Sequence, residues 1–327
     1  MTHLPRLSIG LPVYNGEEYL AESLEALLGQ TYEDFELIVS DNASTDGTAG
    51  ICRQYERSDP RVRYFRQKRN IGAVGNHNFV FREARGELFK WAAADDLYAR
   101  DLLARCVSLL DENPRAVLVH SWTAAFDEGR ITQALPYPLA TDSPSVPERF
   151  RSMLFGSREH DWGLIRADDQ YGIIRSAVLR KVAPQNSFYH SDRVLMAEVV
   201  LHGPFLQVPE WLYFRRDHAG RPHHSSPTIR EWSVKMDPRR ANGIVHPAAR
   251  LLGEFLMGYV TAIRRAPLSS ADRLGCYQVL ARWIASRSVP VANRVLRGGM
   301  FRGENVAIPP PPASLSLEAV VASRGRR

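Results

Sequence analysis

Two aspartates, Asp95 and Asp96, stand side by side at the end of an apolar stretch, Leu88 to Ala93, just before Leu97 and Tyr98. Adjacent carboxylates in such a place repel each other and call for a cation. A divalent ion there would act as a Lewis acid toward a departing oxyanion. A third carboxylate, Asp192, opens a helical pattern after His190 and Ser191, a position that suits either an N-cap or a general base. Tyr14 follows one apolar run, Leu7 to Val13, and Asp41 follows another, Phe35 to Ser40. A flat ring and a hydrogen-bond acceptor at matching strand ends suit a planar heterocyclic ligand. Arg215, Arg216 and His218 form a late basic turn after Trp211 to Phe214, able to meet an anion, with His218 a nitrogen donor for a metal.

Residues so far apart need a scaffold that gathers strand ends. Leu7 to Val13 reads as a strand, Glu17 to Leu28 as a helix with Leu20, Leu24, Leu27 and Leu28 on one face, and Phe35 to Ser40 as a second strand. Ala49 to Arg57 and Gly75 to Ala84 read as helices, Val62 to Phe65 and Leu88 to Ala93 as strands. This alternation predicts an α/β fold, a Rossmann-like, mostly parallel sheet flanked by helices, with ligands at the carboxyl ends of the strands. Pro12 to Glu17, Asp41 to Asp46 and Asp95 to Asp96 are the expected sites. Farther on, Asp101 to Asp111 reads as a helix, Val117 to His120 as a strand followed by an extended stretch, Ser121 to Phe126, and Gly129 to Pro147 as a long surface loop. Helical patterns return at Arg149 to Phe155, Ser176 to Val182 and Asp192 to Leu201, and strand patterns at Phe205 to Val208 and Trp211 to Phe214. Apolar spacing at Leu251, Leu252, Phe255 and Leu256, and at Leu274, Tyr277, Leu280 and Ile284, predicts a helical C-terminal extension. The proline run from Pro309 and the RGRR ending predict a disordered tail.

With 327 residues, 44% hydrophobic and 24% charged, the chain has globular composition, which excludes disorder over most of its length. Leu251 to Ile263 is too short to span a bilayer, which takes about 20 apolar residues, and the N-terminus has no export-signal pattern, so a cytoplasmic protein is expected. Three widely spaced cysteines, Cys52, Cys106 and Cys276, point to neither a disulfide framework nor a zinc knuckle. Only four basic residues are lysines, Lys68, Lys90, Lys181 and Lys235, a bias given little weight. The net charge of +6 is uneven: from Arg215 onward 19 basic residues face 7 acidic ones. Such a basic third can meet phosphates, an anionic membrane face or a second subunit, or can be a solvated helix surface. No nucleic-acid module is recognisable, so nucleic acid is not an expected partner.

Ser8 to Glu17 (SIGLPVYNGE), Leu28 to Tyr32 (LGQTY) and Phe35 to Thr48 (FELIVSDNASTDGT) together resemble the family 2 glycosyltransferases, which have the GT-A fold. The resemblance is strong over about residues 6–125, looser to about 220, and does not reach the C-terminal extension. It implies an inverting enzyme that moves a sugar from a nucleotide diphosphate donor, a UDP-sugar being expected first, with Mg²⁺ or Mn²⁺. It further implies a nucleotide-sugar-binding half at 1–98 and an acceptor and catalytic-base half at 99–228; the apolar spacing and charge add a basic helical lobe at 229–302, and the proline run a tail at 303–327. Pro12, Tyr14, Asn15, Glu17, Asp41, Asn76, Asp95 and Arg216 are then expected to bind the nucleotide sugar. Asp96 and His218 are expected at the metal, and Asp192 is expected to deprotonate the acceptor hydroxyl. Glu17 reads equally as a first-turn carboxylate on its helix. Gly75 stands where many relatives carry an arginine, which leaves Asn76 to read a base edge.

The acceptor, whether glycan, lipid-linked glycan, protein or small metabolite, is not legible. Asp168 and Asp169 form a second choice for the base. An alternative function is a non-catalytic sugar-nucleotide or glycan-binding protein on the same scaffold. A nicotinamide oxidoreductase is disfavoured because the GxGxxG fingerprint is absent.

Overall fold

The computed structural model describes residues 4–134, 140–155, 168–218 and 228–296, with Leu315 and Leu317. The first half is a wound α/β unit. Strand β1 (Leu7–Val13) leads through helix α1 (Leu20–Leu28) to β2 (Phe35–Asp41), and α2 (Thr48–Ser58), β3 (Val62–Arg66), α3 (Ala73–Arg82) and β4 (Leu88–Trp91) follow. Strands β3, β2, β1 and β4 lie side by side and parallel in that order. Every residue of β2 is buried, as a parallel strand covered on both faces requires. Helix α1 closes one face with buried Leu20, Leu24, Leu27 and Leu28, each such side chain contributing about 1.5–3 kcal/mol on leaving water. The chain winds outward from β1 through β2 to β3, then crosses to place β4 on the other side of β1. The crevice at the β1–β4 boundary is where ligands settle in such sheets.

Beyond β4 the sheet is mixed. Four further strands, β5 (Leu97–Tyr98), β6 (Leu118–Asp127), β8 (Ile173–Arg175) and β9 (Phe205–Arg216), extend it in the order β4-β8-β6-β9-β5. β8 runs antiparallel to both β4 and β6, β9 is parallel to β6, and β5 is antiparallel to β9. The mostly parallel expectation therefore describes the first four strands, and antiparallel joins take over after them. Two boundaries also differ. The two extended stretches at 117–126 are the single strand β6, and those at 205–214 are the single strand β9, because a register shift opposite Ser121 and Trp122 absorbs the irregularity without ending either strand.

The surface loop expected over Gly129 to Pro147 is partly regular. Arg130–Ala134 forms β7, a hairpin with β6 whose turn residues Glu128 and Gly129 take φ of 45° and 76°. That geometry matches the twist of the flanking strands. A short turn of 3₁₀ helix, Ala140–Asp142, then precedes α5 (Val146–Phe155).

Helix α4 (Leu102–Glu112) covers the main core, and α6 (Ser176–Leu179) and α7 (Ser191–His202) follow β8. Helix α7 is buried nearly all round: Leu195, Met196, Val199 and Val200 face the sheet, while Val194, Ala197 and Leu201 enter a second core. That second core is made with α5, α9 (Ala248–Arg265) and α10 (Ser270–Leu296), through Phe150, Phe255, Tyr259, Ile263 and Leu280. The apolar face of α9 thus has its cover inside the chain, with Leu251 and Phe255 buried and only Leu252 and Met257 exposed. On α10 Leu274 is exposed and Cys276 buried in its place, a shift of the expected stripe. Helix α8 (Ile229–Met236) is started by a capping box between Thr228 and Glu231. All three cysteines are free and buried. Of the tail expected to be disordered, Leu315 and Leu317 are described, and both are partly buried against the main core. No helix among the described residues is long and apolar enough to cross a membrane.

Candidate active site

The loops after β1 and β2 are laced together. Asn15, in the left-handed region at φ 50°, donates its backbone N–H to Ser44 Oγ at 2.9 Å and accepts from the Thr45 N–H at 2.9 Å. Gly16 N–H donates to Thr48 Oγ1 at 2.9 Å and Glu17 N–H to Asp46 Oδ2 at 3.1 Å. The Glu17 carboxylate accepts the Gly47 N–H at the start of α2, so its place is in loop closure rather than in the first turn of α1. Pro12 pairs with Ser40 in the β1–β2 register, and Tyr14 stands at the rim with 49% of its surface exposed.

Two expected nucleotide contacts sit beneath this surface. Asp41 is fully buried: Oδ1 accepts from Ser44 N–H at 2.7 Å and Oδ2 from Tyr64 O–H at 2.9 Å, with Arg66 Nε 3.5 Å away. Asn76 does not present its amide to a base edge. It is 2% exposed, donates to Ser40 O at 2.7 Å and Val13 O at 3.4 Å, and accepts from Ser40 Oγ at 2.6 Å, which fastens α3 to the ends of β1 and β2. A buried amide needs partners for its own donors and acceptor, and the strand-end carbonyls and the Ser40 hydroxyl supply them, because a buried polar group left unmade costs more than a surface contact returns.

The aspartate pair lies across the crevice, after β4, and its two members have different surroundings. Asp96 is 1% exposed; Oδ1 accepts from Arg216 N–H at 2.9 Å, and Oδ2 accepts a short bond from Tyr213 O–H. Asp95 is more open and its Oδ2 lies 2.9 Å from His218 Nε2. Strand β9 closes over Asp96, the residue expected as the direct ligand, and leaves Asp95 the more open of the two, beside His218. Arg216 braces the pair, donating Nε to the main-chain oxygen of Asp95 at 2.9 Å and Nη2 to Glu22 at 2.5 Å, with its guanidinium over the Tyr19 ring at 4.4 Å.

An oxygen and a nitrogen donor 2.9 Å apart suit a divalent cation. No cluster of three or more His, Cys, Asp or Glu side chains able to hold a metal occurs among the described residues. Two protein ligands leave the remaining positions to water and phosphate, the manner in which Mg²⁺ is commonly bound beside a diphosphate.

Asp192 lies in the first turn of α7, after His190 at φ 51°. The His190 ring is packed against Trp232 of α8 at 5.4 Å and Phe255 of α9 at 6.2 Å, and burial pushes its imidazole down to about 3. The charge of Asp192 reaches the hydroxyls of Tyr189 and Tyr259, both raised chiefly by burial. Helix α8 bridges the two acidic sites. Its Trp232 touches His190, while Lys235, one turn on, is electrostatically coupled to Asp95; burial draws the ammonium down and Asp95 raises it. Gly72, at φ 81°, lets the loop before α3 meet the end of α8, where a Cβ would come within 2.5 Å of Met236 O.

The second choice for the base does not reach the crevice. Asp169 is 2% exposed and lies 3.5 Å from the buried His120. The side chain of Asp168 lies outside the described set. Two lysines were missed. Lys90 on β4 is buried, donates to Tyr171 O, sees the charge of Asp96, and is pushed by desolvation to about 8. Lys235 feels the charge of Asp95. The signal was their type, since lysine is rare in this arginine-rich chain and Lys90 interrupts an apolar strand.

A Rossmann-like half-sheet with its switch-point crevice, joined to a mixed half whose basic turn reaches that crevice, is the GT-A architecture of glycosyltransferases. The chain belongs to glycosyl transferase family 2, whose model matches residues 8–174. EpsE of Bacillus subtilis (strain 168), which bears a glycosyltransferase name, is 33% identical over 140 residues, 41% of this chain and 50% of EpsE. The glycosyltransferase GlyG of Streptococcus pneumoniae serotype 4 is 30% identical over 116 residues, 36% of this chain and 38% of GlyG. The chain thus spans half or less of the length of these relatives. In fold it is similar to S. aureus TarS in complex with UDP-GlcNAc, with a TM-score of 0.61 and 19% identity, covering 85% of this chain and 71% of that one.

Proposed function

We propose that this glycosyltransferase is inverting and metal-assisted, taking the sugar from a nucleoside diphosphate donor and passing it to an acceptor hydroxyl. The observation that carries this reading is the 2.9 Å pair of Asp95 Oδ2 and His218 Nε2, braced by Arg216 at the mouth of the β1–β4 crevice. Asp95 and His218 would hold Mg²⁺ or Mn²⁺ against the diphosphate. A cation bound there supplies Lewis-acid neutralisation of the charge that grows on the leaving group. Lys235 adds a positive charge coupled to Asp95. Asp192 accepts the proton of the acceptor hydroxyl as its oxygen bonds to the anomeric carbon; the bond from that carbon to the diphosphate breaks with its electron pair. Tyr14 offers its exposed ring to the base, and Asp41 acts through Ser44 and Tyr64 by holding the loop that meets the nucleoside. A uridine donor is favoured by the fold relative TarS, whose structure is in complex with UDP-GlcNAc.

The test is calorimetric titration of UDP, with GDP as control, in the presence and absence of Mn²⁺. Binding of UDP that requires Mn²⁺ in the intact chain and is no longer strengthened by Mn²⁺ in Asp95→Asn supports the reading. UDP binding equal with and without Mn²⁺ removes the metal from it.

A further inference from the structure

Behind Asp192, on the other face of α7, lies a cavity of about 350 Å³ between that helix, the 183–188 segment and α9. It is separate from the Asp95 crevice, and the donor reading uses none of its side chains. Small residues on α9 make the room: Gly258 approaches so closely that a Cβ there would meet the Phe188 ring at 2.8 Å, and Thr261 follows one turn later. Phe188, Val194, Leu195 and Met257 give it an apolar wall.

Its inner end is polar and incompletely satisfied. Glu198 is 4% exposed; Oε2 accepts one long bond from Ala183 N–H at 3.4 Å, and Oε1 has no hydrogen-bond partner among the described residues. Arg265 Nε stands 3.6 Å from that oxygen, beyond hydrogen-bond reach, with its side chain about half exposed. At the outer end Arg240 and Glu254 satisfy each other at 2.5 Å. Burial raises the Glu198 carboxyl above its ordinary range, and Arg265 and the long Ala183 bond offset it only in part.

A buried acceptor without a donor is costly, and a ligand that supplies one relieves the cost. A lone ammonium would meet Arg265, and a carboxylate or phosphate would meet Glu198. A hydroxyl donates and accepts at once, so two neighbouring hydroxyls can give a hydrogen to Glu198 Oε1 and take one from Arg265. Their carbon skeleton would then lie on the apolar wall.

We propose that this cavity binds a neutral carbohydrate through a vicinal diol held between Glu198 and Arg265. Because Ser191 lines the cavity and Asp192 follows it, the sugar is read as one unit of the acceptor, a role that rests on the proposed function. The probes are methyl glucoside, methyl mannoside and methyl galactoside, with glucosamine and glucuronic acid as charged controls, followed by saturation-transfer NMR. At least one neutral glycoside is expected to bind saturably, to stay bound when UDP is added, and to weaken at least tenfold in both Glu198→Leu and Thr261→Trp. UDP affinity, measured in the same samples, should be unchanged and reports that each variant is folded. No saturable binding of any neutral glycoside, preference for a charged control, competition by UDP, or binding that survives in both variants each overturns the proposal. Glycoside binding in a protein that ignores UDP would support this site while removing the donor reading.

Discussion

His218 Nε2 stands 2.9 Å from Asp95 Oδ2, joining the residue that follows β9 to the turn after β4. The contact closes the crevice across two halves of the sheet that are far apart in the chain. Replacing His218 by Ala or Asp95 by Asn should weaken Mn²⁺-dependent UDP binding at least about tenfold, since even indirect metal partners are worth that much. Asp96→Asn should act differently, disturbing Tyr213 and Arg216 and lowering thermal stability while Mn²⁺ dependence persists. Calorimetry and thermal melts on the three variants separate the roles; loss of Mn²⁺ dependence confined to Asp96→Asn would return the ligand role to Asp96.

Asp192→Asn is expected to leave UDP affinity within a few-fold and lower sugar transfer by at least about a hundredfold, the scale of general-base catalysis. Donor turnover in the presence of an acceptor mixture measures it. Near-normal transfer would move the base to another side chain.

Asn76→Ala tests whether the amide is a clamp. Its removal takes one partner each from Ser40 O, Val13 O and Ser40 Oγ, though Asn42 N–H still reaches Val13 O and Gln67 still reaches Ser40 Oγ, and should cost about 1–2 kcal/mol in urea unfolding. The ratio of UDP to GDP affinity should not change. A shift in that ratio with stability intact would make Asn76 a reader of the base after all.

The histidine before Asp192 gives a pH dependence of stability. His190 is held neutral in the folded chain at about 3 against an ordinary 6.5, so below 6.5 the unfolded chain takes up a proton that the folded one refuses. Stability from this group is fully present above about pH 6.5 and falls progressively as pH drops toward 3. The partly buried His77 and His202, also lowered by desolvation, act in the same sense. His190→Asn tolerates the left-handed backbone and should flatten the decline of melting temperature between pH 6.5 and pH 4, whatever its effect at pH 7.5. An unaltered slope would show that the ring is solvated.

The regular elements of the first half were legible because their information is local. The apolar run in β1, the leucines of α1 and the run in β2 each state their own burial, and strand ends in a parallel sheet are where ligands gather. Asp95, Asp192 and His218 could be nominated on that basis and on the motif order from Ser8 to Thr48. Their surroundings could not. Which member of the Asp95–Asp96 pair faces outward depends on Tyr213 and Arg216, more than a hundred residues later, closing over Asp96. Asn76 looked like a reader of bases because its type allows it, yet burial left its amide to the carbonyls at the ends of β1 and β2. Lys235 and Trp232 join the site only because α8 folds back between Asp95 and His190. Periodicity records which face of an element is buried, whereas the partner of a polar group is chosen by neighbours brought from elsewhere in the chain, and that choice is made only when the tertiary structure closes.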